Sequence, residues 1–244
     1  MQMKLFLYYA FTGIMVCTVL NACNVVNRNQ IKGSGHIVKE ERTVPAFHKI
    51  KVEGSIDVYL SQGAAKPAVI EAEDNIIPLV EIVEEDGKLI IRQRRNTHIN
   101  TRKSISVYLT TPDVDEAGVS GSGDIKLVDK FNAKEKMILS LSGSGNISGQ
   151  VNAPLIKASI TGSGDMSLRG ESRDLSLTIA GSGDFKGTEL LAENVNVNIA
   201  GSGNADVYAS VSLDVKVAGS GDVRYKGSPQ ISSSIAGSGS VTKK

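Results

Sequence analysis

Apolar residues occupy every second position over most of the C-terminal half of the chain, in phase with a recurring Gly-Ser-Gly phrase. Two residues before each phrase stand Val119, Leu141, Ile160, Ile179, Ile199, Val217 and Ile235. Four before the last six phrases come Leu139, Ala158, Leu177, Val197, Val215 and Ser233, and six before come Met137, Ile156, Leu175, Val195, Leu213 and Ile231. Such alternation predicts a strand with one buried face leading into each phrase. It resumes after the phrase at Ile125, Ile147, Met166, Phe185, Ala205, Val223 and Val241, so a second strand follows.

The phrases begin at Gly121, Gly143, Gly162, Gly181, Gly201, Gly219 and Gly237, at intervals of 22, 19, 19, 20, 18 and 18 residues. Self-similarity at this period marks a repeat that cannot bury its apolar face alone. A flexible Gly-Ser linker would not be bracketed by Val and Ile at constant offsets. An antiparallel sandwich would not need the same residue type at successive offsets. Parallel stacking does need it, because equivalent residues then lie about 4.8 Å apart on neighbouring rungs. The expected fold is therefore all-β, a parallel β-solenoid of 18–22-residue rungs with Gly-Ser-Gly-Asp/Asn corners. Glycine permits a sharp corner, serine can bond its own backbone or the next serine, and Asp or Asn can accept nearby backbone N–H groups.

Residues 117–244 carry the regular solenoid, and 33–116 read as an irregular β region that continues or caps it. Within that region "GSGH" at Gly33–His36 and "KIKVEGSIDVYL" at Lys49–Leu60 look like degraded copies of a rung. "VEIVEEDGKLIIRQ" predicts a hairpin turning at Asp86-Gly87, and Ile105, Val107 and Leu109 alternate again.

The N-terminus is a separate unit. Leu5–Leu20 is an apolar run behind Lys4, short for a membrane span and suited to the core of a signal peptide covering residues 1–22. It ends in "VLNAC", which resembles a bacterial lipobox, so Cys23 is the expected lipidation site, followed by a polar tether over 23–32. Only Cys17 and Cys23 exist, so cleavage and lipidation would leave no thiol for a disulfide, metal or catalysis. Loss of Lys4 from the 27 basic residues would leave them equal to the 26 acidic ones. A neutral chain has no global field to recruit nucleic acid, and none is expected as a partner.

"FHKIKVEGSIDVYLSQG", "VIEAEDNIIPLVEIVEEDGKLII" and "ISVYLTTPDV", leading into serial "GSGD", resemble the head GIN domain family of bacterial envelope lipoproteins, described as auto-transporter adhesins. The resemblance runs from Phe47 to Gly239. It implies a right-handed parallel β-helix and supplies no catalytic residues.

Chemistry is sparse. Asp124, Asn146, Asp165, Asp184, Asn204 and Asp222 form a column in which Asp165 and Asp184 are adjacent, the candidates for a calcium ladder. Turn formation is the simpler reading of these residues. Arg92, Arg94, Arg95, Arg102 and Lys103, with His98 among them, could face a polyanion such as a surface glycan, unless Glu81, Glu84, Glu85 and Asp86 balance them across the hairpin. His36, His48 and His98 show no metal-ligand spacing, and no cofactor is expected. Carbohydrate-active β-helices exist, but with aromatics at 5% and no Trp, few sugar platforms are available.

The expectation is a non-enzymatic lipoprotein of the bacterial cell envelope, anchored in the outer membrane, with its periplasmic or surface face open. It would act as an adhesin or multivalent scaffold for a glycan or envelope polymer. The alternatives are a structural spacer able to associate end to end, and a polysaccharide lyase or glycosidase. "NVVNRN" after Cys23 lacks an acidic cluster, which argues against surface display.

Overall fold

The computed structural model describes residues 30–244, so the signal peptide, Cys23 and the tether up to residue 29 lie outside the described residues. The N-terminal part comprises β1 Gln30–Lys32, β2 Ile37–Arg42, β3 Lys49–Gly54, β4 Ile56–Gln62 and β5 Ala68–Glu73. A short 3-10 turn at Ile77–Leu79 leads to β6 Val80–Glu85, β7 Lys88–Gln93, β8 His98–Asn100 and β9 Ile105–Thr111. The stack continues with β10 Glu116–Gly121, β11 Asp124–Asn132, β12 Lys136–Gly143 and β13 Asn146–Gly162. It is completed by β14 Asp165–Gly181, β15 Phe185–Gly201, β16 Ala205–Gly219, β17 Val223–Gly227, β18 Gln230–Gly237 and β19 Val241–Lys243.

The architecture is a parallel β-solenoid. β13, β14 and β15 each cover almost a whole rung, turning a second corner in mid-strand before they reach the next glycine corner. Two of the inward columns of the core flank the glycine corners. One runs Ile91, Val52, Val119, Leu141, Ile160, Ile179, Ile199, Val217. The other runs Val107, Val58, Ile125, Ile147, Met166, Phe185, Ala205, Val223. All sixteen residues are buried, so the period-2 pattern in the sequence is the inside of the solenoid. The ring of Phe185 fits because Gly187 has no side chain, where a Cβ would lie 2.3 Å from it.

The glycine corners explain their composition. From Gly121 to Gly237 the first glycine takes φ between +118° and +137°, a region closed to other residues. A Cβ there would lie 2.0–2.4 Å from the carbonyl oxygen of the glycine one rung below, and the second glycine of the phrase is confined in the same way. That carbonyl accepts the N–H of the corner serine, as Ser163 donates to Gly143 at 2.9 Å. The serine contributes its backbone, while its hydroxyl stands at an exposed position and forms no seam with the next serine.

The N-terminal region departs from chain order. β3 pairs with β7 on one side and β10 on the other, and β4 likewise lies between β9 and β11. The first rung to be synthesised is thus the second in space. Around it β2 and β9 run antiparallel to β5, and β6 antiparallel to β7, closing the apolar end. The β6–β7 turn has Asp86 at φ 52° and Gly87 at φ 71°, the paired positive angles of a tight hairpin. "KIKVEGSIDVYL" is a true rung, with Gly54 beside Gly121. "GSGH" is not, because Gly33 follows β1, which pairs with β8 in a separate small sheet. β1 includes the last three residues of the segment assigned to the tether.

Candidate functional site

The Asp/Asn column is a hydrogen-bonded spine. Asp124 Oδ1 accepts the Asn146 N–H at 2.8 Å, Asp165 Oδ1 the Asp184 N–H at 3.1 Å, and Asp184 Oδ1 the Asn204 N–H at 2.9 Å. Asn204 Oδ1 continues to Asp222, and Asp222 Oδ1 to Ser240. Each side chain thereby stands in for a backbone carbonyl where the corner interrupts the ladder. The column also extends one rung earlier than the repeat suggests, since Asp57 Oδ1 accepts the Asp124 N–H at 3.3 Å.

The two Asp–Asp steps are handled differently. Asp165 is paired with Lys186 Nζ at 2.7 Å, and that bond holds its carboxyl below the usual carboxylate range. Asp57 has no such partner, and burial together with the neighbouring Asp124 pushes its carboxyl up. At the candidate calcium step, then, a lysine ammonium already faces the Asp165 carboxylate. Among the described residues no group of three His, Cys, Asp or Glu side chains gathers as a metal site.

The basic set divides. Arg92 pairs with Glu81 at 3.0 Å and Glu85 at 2.7 Å, and Arg94 reaches Glu81 at 3.7 Å and the Pro78 carbonyl at 2.8 Å. The hairpin acids therefore occupy those two. Arg95 is exposed, and Arg102 and Lys103 stand apart beside Lys32 and Gly33.

The concavity that follows the repeat lies on the second corner. Asn132, Asn152, Glu171, Leu191 and Tyr208 are ladder partners in succession and form one wall. The next residue on each of the later rungs is small and buried: Ala153, Ser172, Ala192 and Ala209. Beyond them Lys134, Pro154, Arg173, Glu193 and Ser210 form the opposite wall of a groove of about 630 Å³. Five wall residues at the rung spacing extend it about 19 Å along the solenoid axis. Leu191, 49% exposed, and Tyr208 give one end an apolar patch, while the other is amide-lined. The sequence hides this site because the wall residues share no chemistry. The only constant is a small residue, buried from Ala153 onward, between two more exposed ones at the return of each rung.

The molecule is thus a parallel β-solenoid with an axial groove on its outside. The chain belongs to the family described as "Putative auto-transporter adhesin, head GIN domain", whose sequence model matches residues 46–229. Among solved structures it is similar to a putative adhesin from Bacteroides fragilis, at 25% identity and TM-score 0.83 over 88% of this chain and 100% of that one. A putative lipid binding protein from Parabacteroides distasonis matches at 27% identity and TM-score 0.68, covering 88% of this chain and 100% of that one. A putative adhesin from the same organism shares the fold at 24% identity and TM-score 0.71, with coverage of 88% and 100%. No curated protein matches the sequence.

Proposed function

We propose that this protein is a non-enzymatic adhesin of the bacterial cell envelope, held by lipid on Cys23, whose corner groove takes an extended polymer such as a glycan strand. The observation that carries the reading is the register of Asn132, Asn152, Glu171, Leu191 and Tyr208 along one axial groove. A polymer lying along the axis meets a new rung every 4.8 Å or so, and weak contacts add through multivalency. The family and the adhesin-named neighbours support this reading. Glu171 and Glu193 sit on opposite walls, but both are exposed and no enclosed cleft between them shelters a scissile bond. Binding is therefore favoured over hydrolysis.

Affinity electrophoresis through gels containing capsular polysaccharide, lipopolysaccharide or solubilised peptidoglycan tests the proposal. At least one polymer should retard the protein, and Leu191→Ala with Tyr208→Ala should restore free migration. Equal retardation of the double variant would remove the groove from the binding role.

A further inference from the structure

The last rung of the solenoid differs from those beneath it along its free edge. We infer that the outer edge of β18 pairs antiparallel with β18 of a second copy of this chain, about a twofold axis through Ser233.

β18 lies parallel on β16 from Ser212/Gln230 to Gly219/Gly237, and among the described residues nothing pairs with its other edge. In such a strand about half of the main-chain N–H and C=O groups point outward, here without partners. Ile231, Ser233 and Ile235 continue the inward columns of Leu213, Val215 and Val217. Those three are buried, whereas Ile231 is 45% exposed and Ile235 39%.

Free sheet edges are commonly guarded by charge, proline or a bulge. β18 has none of these: Gln230–Gly237 holds no charged residue and no proline, and its register on β16 is unbroken. Outward-facing Asp214 and Lys216 of β16 are followed on β18 by Ser232 and Ser234, so charge is lost at the rung whose edge is open. The other strand of that rung keeps its guard, with Lys243 in β19 and Lys244 beside it, bonded to Asp206 at 3.0 Å.

The occupant is read from the strand itself. Ile-Ser-Ser-Ser-Ile over 231–235 is the same in both directions about Ser233. Antiparallel pairing about that residue sets Ile231 opposite Ile235 of the second copy, Ser232 opposite its Ser234, and Ser233 opposite its own counterpart. Every cross-strand pair is then like with like, apolar inside and hydroxylated outside. A slip of two residues would set Ile235 against Ser233. A twofold perpendicular to the sheet keeps inward residues inward, so the apolar interior continues across the seam. Such a contact uses the same patch on both copies and closes at two. The capped end is covered by antiparallel strands and supplies no open rung for head-to-tail stacking. In the pair the two capped ends point in opposite directions.

Oxidative cross-linking of the full chain tests the assignment, with the unsubstituted chain and its Cys17 and Cys23 as background. Ser233→Cys places a thiol on the axis, within disulfide reach of its counterpart. Gln230→Cys lies three residues away, about 20 Å from its own. Ser233→Cys should give about tenfold more covalent dimer than Gln230→Cys. In sedimentation the unsubstituted chain should rise with concentration to twice the mass of one chain and stop there. Ser232→Lys with Ser234→Lys sets lysines opposite each other and should hold the protein at the mass of one chain. Ser232→Glu with Ser234→Glu should do the same, and mixing the two variants should restore the dimer. Equal cross-linking at both positions, a single-chain mass throughout, growth beyond two chains, or dimerisation of the lysine variant alone would overturn the inference. Should the charged variants fail to fold, the two cysteine variants decide. Leu191→Ala/Tyr208→Ala should leave the cross-linking of Ser233→Cys unchanged, so failure of the groove is distinguishable from failure of the edge.

Discussion

The regular stack and the capped end solve one problem, closing apolar rungs, by different means. From Asp124 onward the glycine corner and the Asx spine repeat from rung to rung, and register shifts fall only in the strand between them and the return or at the return itself, at Lys126/Lys130, Ser167/Arg169, Gly187/Leu191 and Ala192/Asn194. At the cap, antiparallel strands, a hairpin and the paired arginines Arg92 and Arg94 take over. Repetition makes the stack intolerant, because every atom at a corner has a neighbour below it. The cap is built from single features, each replaceable alone.

The sharpest break between the two should come from glycine. Gly181→Ala puts a Cβ 2.3 Å from the Gly162 carbonyl oxygen at φ +130°, and should cost about 3–5 kcal/mol from combined strain and overpacking. Gly87→Ala in the cap hairpin meets nothing within 4 Å at φ +71° and should cost about 1 kcal/mol. Urea denaturation of the two variants compares them, and equal midpoints would end the distinction.

The spine offers a finer test. Asp184→Ala removes the acceptor of two hydrogen bonds from Asn204, at 2.9 and 3.0 Å, and should cost about 1–2 kcal/mol. Asp184→Asn keeps the accepting oxygen and should stay within about 0.5 kcal/mol of wild type. A loss on Asp184→Asn as large as on Asp184→Ala would show that charge, not the accepted hydrogen bond, holds the corner.

The smallest effect should reverse sign. Asp57 lacks the lysine that relieves Asp165, so Asp57→Asn should stabilise the protein by a few tenths of a kcal/mol at pH 7, after solvent screening. The raised folded pKa of Asp57 makes its charged form a penalty above that pKa, relieved as pH falls through it, so the gain should vanish in acid. Asp165, with its lowered pKa, stabilises above the unfolded value and loses that contribution as pH falls through the folded one. Denaturation midpoints of wild type and Asp57→Asn between pH 7 and 3 read the difference, and a gain that persists at pH 3 contradicts the charge argument.

What could be read without coordinates follows the same division. The inward columns were legible because burial admits only apolar residues at Ile160, Ile179 and their equivalents, and the hairpin because Asp86-Gly87 suits paired positive φ angles. The Asx column and its acceptance of backbone N–H groups were visible, but its extension to Asp57 was not, because Asp57 lies in a rung without the full phrase. The groove was hidden because its walls run Asn, Asn, Glu, Leu, Tyr, and only their register makes them one surface. "GSGH" misled because two glycines around a serine also suit a loop draped over Glu73. The order of the first rungs left no trace, since a local pattern does not name a distant partner.

That order bears on the timing of folding. Asp57 meets its spine partner 67 residues later, whereas Asn146 meets Asp165 after 19. Closing the longer loop costs about 1 kcal/mol more in chain entropy before any contact rewards it. The rung β3–β4 must wait for β7 and β9 to cover one of its edges and for β10 and β11 to cover the other. Assembly thus begins with a slow, non-local seed and then proceeds as a fast zipper, each later rung closing onto a finished template. A chain emerging N-terminus first would hold that seed open until residue 132 has cleared the exit, which defines the interval in which a chaperone would find exposed strand edges.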